Sequence, residues 1–191
     1  MSDKIDITLT INGRDHAIKV EPRRTLADAI REDCGQTGTH IGCEHGICGA
    51  CTVIVDGEPV RSCLMFAVQA AGKKIRTVEG LANGDELHPM QRAFMDHHGL
   101  QCGFCTPGFL MLAVGVLERE PNISDDDLLD VLASNLCRCT GYQNIVAAVR
   151  AAQAEMRGAR AGEAQSPIAP PAMDDAFGAA VEMLEQPVRT D

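Results

Sequence analysis

Four cysteines in the first third of the chain constrain its fold more than any other feature. Three of them follow the pattern C-x4-C-x2-C and the fourth lies further along; they are Cys43, Cys48, Cys51 and Cys63. This is the spacing of a plant-type [2Fe–2S] site, in which four thiolates hold two bridged irons. A structural zinc site is the alternative, but zinc knuckles usually carry paired C-x2-C units. We therefore favour iron at these four residues.

Glycines are interleaved with the cysteines between Gly42 and Cys51. A loop that wraps an inorganic cluster has to turn sharply and bring backbone N–H groups toward sulfur. Glycine does this at the lowest cost, because it has no Cβ and adopts positive φ freely. The composition predicts an irregular loop here rather than a regular helix or strand.

Residues on either side of this loop show the patterns of a small sheet. Strands are expected over residues 5–11, 17–20, 52–55, 59–60 and 74–78, with a short helix over residues 26–32. Asn12-Gly13 and Asp56-Gly57 fall between alternating or β-branched runs, which is a strong hairpin signal. These elements predict a β-grasp, plant-type ferredoxin domain over residues 1–79, with the cysteine loop at the edge of a mixed sheet.

Beyond Gly80 the apolar residues take the period of a helix. Candidate helices cover residues 87–97, 107–117, 125–136 and 145–156. Helices of this length with short connections predict a four-helix bundle over residues 80–157. The chain is therefore expected to be of the α+β class, with a sheet domain followed by a helical domain.

A second set of four cysteines lies in the helical half. It combines a C-x2-C pair with a later C-x-C pair, and its members are Cys102, Cys105, Cys137 and Cys139. Residues two apart face different directions on a continuous helix, so the C-x-C pair is expected just beyond a helix end. Taken alone, this set would also suit zinc. Beside the first set, a second [2Fe–2S] cluster is the favoured interpretation.

Composition and charge narrow the class of protein further. The formal net charge of the 191-residue chain is −10, which disfavours nucleic acid and anionic membranes as partners. No window approaches the roughly 18 consecutive apolar residues of a membrane span. The first residues show no apolar signal region. The nine cysteines are an odd number, so we expect reduced thiols in the cytoplasm rather than a secreted disulfide framework.

Two residues near the first set are expected not to be ligands. Cys34 is the ninth cysteine, and we expect it to be a small buried apolar residue near a helix end. His45 forms C-x-H with Cys43, but no C-x2-H downstream completes a Rieske site, so we expect an exposed loop histidine.

Three long motifs resemble one known family. They run over residues 42–53, 101–108 and 135–142 and contain all the proposed ligands except Cys63. In this order they resemble the iron–sulfur small subunit of the xanthine oxidase family of molybdenum hydroxylases, and the resemblance covers about residues 4 to 157. It implies two [2Fe–2S] clusters in this chain, and a molybdenum pterin cofactor and FAD in partner subunits.

The resemblance also implies an order for the centres. The Cys43 set would lie toward a medium, FAD-binding subunit, and the Cys102 set toward a large, molybdenum-containing subunit. Gln101 and Cys139 would approach the pterin of that partner's cofactor. The expected assembly is a heterotrimer or its dimer, in which this chain relays electrons from molybdenum to FAD.

The chain itself shows no site for substrate chemistry. It has no phosphate-binding loop, no dinucleotide fingerprint and no nucleophile with a base, so it is expected to be catalytic only as part of an oxidoreductase complex. Two alternatives to a subunit of such a complex remain. The first is a stand-alone two-cluster ferredoxin, and the second is an interaction module stabilised by zinc.

The last residues, 158–191, are rich in Ala, Gly and Pro and are expected to form a linker or tail. Some helical periodicity over residues 174–185 would suit a docking segment, and a mobile tail is the alternative.

Overall fold

The computed structural model describes residues 4–162, and its first half is built on a mixed five-stranded sheet. The strands are β1 (Ile5–Ile11), β2 (Arg14–Val20), β3 (Thr52–Val55), β4 (Glu58–Arg61) and β5 (Lys74–Arg76). Their order across the sheet is β2-β1-β5-β3-β4. The β1 and β5 strands pair parallel, and all other neighbours are antiparallel. The predicted mixed sheet is confirmed.

Both predicted hairpins have two-residue loops. Asn12 and Gly13 have φ of +51° and +75°, and Asp56 and Gly57 have +49° and +89°. Positive φ at both central residues is the requirement of a type I′ turn, which Asn-Gly and Asp-Gly meet at low cost. The turn residues therefore fix the register in which each hairpin buries its apolar face.

An aliphatic core fills the space between the sheet and the first helix. Helix α1 (Leu26–Asp28) is one turn long, and Thr25 caps it by accepting a hydrogen bond from the N–H of Asp28. The chain then continues as a π-helical turn over Ala29–Asp33, where sequence predicted one regular helix. The buried residues of this core are Leu9, Ile11, Val20, Leu26, Ala29, Ile30, Val53, Val55, Ala67, Ala70 and Ile75.

Four longer helices follow residue 88. They are α2 (Pro89–Asp96), α3 (Thr106–Arg119), α4 (Asp125–Ala133) and α5 (Gln143–Gly162). Each lies within a few residues of a predicted helix, except that α5 runs on to Gly162, into the segment expected to be a tail. Ser124 caps α4 by accepting from the N–H of Asp127. The proposed docking segment at residues 174–185 lies outside the described residues.

The central helix α3 joins the two halves of the molecule. It packs on β3 and β4 as well as on α2 and α4, whereas α2 packs mainly on α5. Ile54 of β3 belongs to the same buried cluster as the apolar residues of the helices. A Cβ added at Gly115 would lie 3.2 Å from Ile54 and Pro59, so glycine lets the helix approach the sheet closely. The four-helix bundle predicted for this half is not confirmed, because its central helix shares its core with the sheet.

Within residues 4–162, no helix is both long enough and apolar enough to span a lipid bilayer.

Candidate metal centres

The first cysteine set comes together at the edge of the sheet. The loop before β3 supplies Cys43, Cys48 and Cys51, and a short 3-10 turn after β4 supplies Cys63. The thiols meet in two pairs, Cys43 with Cys48 and Cys51 with Cys63, each close enough for a hydrogen bond. The structure therefore brings together all four residues that the spacing singled out.

Backbone N–H groups of the loop point at these sulfurs. The N–H of Cys48 donates to Cys43 Sγ over 3.3 Å, and the N–H groups of His45 and Ile47 do the same. These hydrogen bonds, that from Cys48 foremost, lower the pKa of Cys43 to about 6. They favour the thiolate, which is the form that binds a metal. The N–H-rich loop predicted from the glycine content is present.

Two glycines let this loop follow its path. Gly46 and Gly49 have φ of +80° and +74°. A Cβ at Gly46 would lie 2.4 Å from a methyl group of Leu64, and one at Gly49 would lie 2.0 Å from the side-chain oxygen of Asn135. Any larger residue would thus meet both backbone strain and a clash.

The four thiols of the first set differ in exposure. Cys51 and Cys63 are 2% and 9% exposed, whereas Cys43 and Cys48 are half-buried. Burial, together with the neighbouring Cys51 thiol, raises the pKa of Cys63 to about 11. One side of the set therefore lies in the interior and the other near the surface.

The second cysteine set lies where helices end. Cys102 and Cys105 come immediately before α3, and Cys137 and Cys139 lie between α4 and α5, as the C-x-C spacing predicted. Cys102 and Cys139 bring their Sγ atoms to 3.5 Å, and Cys105 and Cys137 are also within hydrogen-bond distance. Here too, four thiols form two pairs.

Local hydrogen bonds hold this second set in place. The Thr140 hydroxyl lies 3.1 Å from Cys137 Sγ. The N–H of Cys137 donates to the Tyr142 hydroxyl over 2.9 Å. Tyr142 has φ of +68°, and its ring lies edge-on to Phe109 with centroids 6.2 Å apart. Sequence reasoning did not identify this tyrosine as a support of the site.

The pKa values of the second set follow burial and hydrogen bonding. A hydrogen bond from the Phe104 N–H lowers the pKa of Cys102. Burial raises the pKa of Cys105 to about 12. Burial also acts to raise the pKa of Cys137, but hydrogen bonds from Thr140 and from the Cys139 N–H outweigh it, so that pKa is lowered. The site thus contains thiols that readily become thiolates beside thiols that a metal would have to deprotonate.

Part of the second set is open to the surface. Cys102 and Cys139 are exposed, and so is the neighbouring Gln101. The residues expected to approach a partner's pterin therefore lie on an accessible face of this chain.

The two sets are in contact through the backbone. The N–H of Leu136, which precedes Cys137, donates to the carbonyl oxygen of Cys48 over 2.9 Å. Asn135 is buried, and its amide nitrogen lies 3.4 Å from the carbonyl oxygen of Gly49. A Cβ at Gly108, in the first turn of α3, would lie 2.3 Å from that same oxygen. We call this contact between the two loops the seam. The sequence did not predict it, although Gly108 and Asn135 lie inside the motifs at residues 101–108 and 135–142.

The donor set fits two-iron clusters. Within residues 4–162, no three or more ligand side chains gather at one point suited to a single metal ion. The eight thiols meet in four pairs, and a [2Fe–2S] cluster takes two thiolates on each of its two irons. Backbone N–H groups directed at sulfur are a further known feature of such sites, where they tune the potential.

The thiol of Cys34 and the imidazole of His45 do not join either group of paired thiols, although the backbone N–H of His45 donates to Cys43. Cys34 ends the π-helical turn, packs against the first core, and has its pKa raised to about 11 by burial. The side chain of His45 is exposed in the loop. Neither thiol nor imidazole is placed as a ligand.

Two family models match the chain. The "2Fe-2S iron-sulfur cluster binding domain" matches residues 9–81, and the "[2Fe-2S] binding domain" matches residues 77–150. Between them they include both cysteine sets.

Individual relatives match over most of their length. The nicotine 6-hydroxylase small subunit of Paenarthrobacter nicotinovorans is 53% identical over 148 residues, which is 78% of this chain and 89% of that protein. The caffeine dehydrogenase subunit gamma of a Pseudomonas species is 54% identical over 147 residues, 75% of this chain and 88% of that protein. A chain in the crystal structure of quinoline 2-oxidoreductase from Pseudomonas putida 86 superimposes with a TM-score of 0.76 at 51% identity, covering 82% of this chain and 99% of that chain.

Proposed function

This chain belongs to the family of iron–sulfur small subunits of the molybdenum hydroxylases, and we propose that it relays electrons from a partner's molybdenum cofactor to the FAD of a second partner. The observation that carries the proposal is the seam at Cys48 and Leu136. There, one backbone hydrogen bond connects a residue of the first thiol set to the neighbour of a residue of the second. Two clusters held by loops that are joined in this way would form a path for electrons through the chain.

The residues proposed to hold the two clusters are the eight paired cysteines. They are Cys43, Cys48, Cys51 and Cys63 for one and Cys102, Cys105, Cys137 and Cys139 for the other. Bound there, each cluster would supply one-electron transfer. The chain's own contribution is to keep the thiols paired, to direct N–H groups at Cys43 and Cys102, and to exclude water around Cys51 and Cys63.

Exposed apolar residues close in sequence to the ligands of the first set would suit a protein partner. Ile47, Leu64 and Phe66 are 63%, 65% and 47% exposed, and Leu64 lies against the cysteine loop at Gly46. Large exposed apolar side chains grouped on a surface often mark an interaction site. We propose that the FAD-binding subunit covers these residues.

The second cysteine set would face the other partner, the molybdenum-containing large subunit. Gln101 and Cys139 are proposed to contact the pterin of the large subunit's molybdenum cofactor, and both are exposed. A heterotrimer of this chain with a molybdenum subunit and an FAD subunit, or a dimer of that heterotrimer, is the proposed assembly. Residues 1–79 and 80–157 are the proposed domains, each holding one cluster.

The names of the relatives suggest a substrate class for the complex. Nicotine, caffeine and quinoline, named in relatives 51–54% identical to this chain, are nitrogen heterocycles. We propose that the complex oxidises such a compound, at a site that lies in the molybdenum subunit. The proposed compartment is the cytoplasm, because nine free thiols and thiolate-bound iron need reducing surroundings.

Purification of the tagged chain from its native cells tests the function. We expect a molybdenum subunit and an FAD subunit to copurify, with iron and sulfide equal to two [2Fe–2S] clusters per small subunit and two low-temperature EPR signals on reduction. A lone monomer with both clusters would indicate a free ferredoxin instead. A colourless protein containing zinc would overturn the proposal.

A further inference from the structure

A histidine of the first half contacts the metal-binding loop of the second half. Nδ1 of His40 lies 2.8 Å from the carbonyl oxygen of Phe104, the residue between Cys102 and Cys105 that directly precedes Cys105. The two rings are also stacked, with centroids 5.1 Å apart and an angle of 25° between planes. His40 thus holds both the backbone and the ring of one residue in the other half.

The chemistry of this contact fixes the proton on the histidine. A carbonyl oxygen can only accept a hydrogen bond, so the donor has to be Nδ1–H. A neutral His40 is therefore the tautomer protonated at Nδ1.

The loop that presents His40 is itself held firmly. One guanidinium nitrogen of Arg31 donates to the carbonyl oxygens of Thr37 and Thr39 over 2.6 and 2.7 Å. The Gly38 N–H donates to a carboxylate oxygen of Glu79 over 2.7 Å. These bonds anchor the loop before His40 from two different elements, so the imidazole has a defined position.

Phe104 in turn is bound to a proposed cluster ligand. Its N–H donates to Cys102 Sγ and is the main cause of the lowered pKa of that thiol. Its ring also lies over the first loop, where a Cβ on Gly42 would approach it to 3.4 Å. The phenylalanine side chain is about half exposed, so burial alone does not fix its position.

We propose that His40 is a positioning residue for the second cluster: by holding the Phe104 carbonyl and ring, it keeps the Phe104 N–H on Cys102 Sγ. Hydrogen bonds to cluster sulfurs stabilise the reduced, more negative state and so raise the reduction potential. A residue of the ferredoxin-like half would thereby tune the cluster of the helical half. This inference rests on the proposed function in one respect, that Cys102 helps to bind an iron–sulfur cluster.

Redox titration of the purified complex, followed by EPR, tests this role. His40→Phe keeps a ring for stacking but removes the donor, and His40→Asn keeps a donor without the aromatic ring. We expect His40→Phe to shift the potential of the Cys102-set cluster to more negative values and to change its g-values, with the other cluster unchanged. In His40→Asn, which keeps a donor, the potential should lie much closer to the wild-type value. The control variant His16→Ala, which changes a histidine on β2, should leave both potentials unchanged.

Two results would overturn the inference. One is an unchanged potential for both clusters in His40→Phe, and the other is a shift confined to the Cys43-set cluster. The failure of the proposed function would be visible separately, as wild-type protein that contains no iron. If His40→Phe yields little loaded complex, Phe104→Ala removes the ring while keeping the backbone acceptor. It should then produce a smaller shift of the same sign.

Discussion

The carbonyl oxygen of Cys48 accepts a hydrogen bond from the N–H of Leu136 over 2.9 Å, and so joins the loops of the two thiol sets. The side chain of Leu136 is 53% exposed, which means that this residue serves the seam mainly through its backbone. This hydrogen bond does not depend on the type of side chain at position 136. Among single substitutions there, only proline removes its N–H donor.

The Leu136→Pro variant removes this donor, whereas Leu136→Ala keeps it. We expect proline to lower the free energy of unfolding by about 1–3 kcal/mol relative to alanine, because the Cys48 carbonyl loses its partner. Urea unfolding of both variants measures this difference. In the assembled complex, electron transfer between the clusters should also be slower for proline. Equal stability and equal rates in the two variants would contradict the assigned role.

Serine substitutions separate the two centres. Cys43→Ser should remove one of the two EPR signals, and Cys105→Ser should remove the other, because each set has its own four thiols. Cys34→Ser is the matched control and should keep both signals, since that thiol packs in the apolar core rather than in either set. Loss of both signals from folded Cys43→Ser protein would argue against independent clusters.

The glycine at the start of α3 is required for contact with the first loop. Gly108→Ala would bring a Cβ to 2.3 Å from the Gly49 carbonyl oxygen, so the helix would have to shift. We expect a loss of about 1–3 kcal/mol or more in unfolding free energy. Gly158→Ala, in α5 with open space around it, should instead add about 0.5–1 kcal/mol. Similar effects of the two substitutions in thermal unfolding would disprove the close approach.

Gln101 is proposed to contact the pterin, and its removal should affect the partner's cofactor rather than the fold. We expect Gln101→Ala to lower turnover and molybdenum cofactor content in the assembled enzyme, with iron content and both EPR signals unchanged. The side chain is exposed in this chain, so a folding defect is not expected. Full turnover together with full cofactor content would remove the case for contact.

His88 should make stability depend on pH. It caps α2 by accepting from the Met90 N–H, and burial lowers its pKa. A group whose folded pKa lies below its unfolded value, about 6.5 for histidine, stabilises the fold above that value. Stability is then lost as the pH falls through the lower, folded pKa.

Urea midpoints at pH 7.5 and 5.5 measure the effect. The fall between them should be smaller in His88→Asn, because asparagine can cap the helix without titrating. Gln91→Ala removes the other half of this capping box but leaves the histidine in place. It should therefore lower stability while keeping the pH dependence. An equal pH dependence in wild type and His88→Asn would exclude His88 as the titrating group.

Local sequence signals predicted most of the elements because each depends on a few neighbouring residues. Asn12-Gly13 predicted a hairpin, and the helical period of the apolar residues predicted α4 from residue 125 onward. The separation of Cys137 from Cys139 placed them beyond a helix end, since two residues are half a turn apart. In each case the backbone geometry that a residue type favours was enough to predict the local structure.

The seam could not be predicted because it depends on how distant elements approach one another. Neither Asn135 nor Gly108 has a local pattern that reveals its contact with Gly49, and the bonding of His40 to Phe104 joins residues far apart in sequence. The Ala- and Gly-containing residues after Arg157 suggested a linker, but α5 continues through Gly162. Alanine is the strongest helix former, so this composition does not by itself end a helix.

The close packing of α3 on β3 has a consequence for how fast electrons can cross the molecule. Because Gly115 lets α3 lie directly on Ile54, a residue of the sheet is buried among the apolar residues of the helices, and this packing holds the two halves against each other. The distance between the centres is therefore set when the chain folds and not during turnover. Transfer between them should then be insensitive to the viscosity of the solvent, as expected of a relay without a moving part.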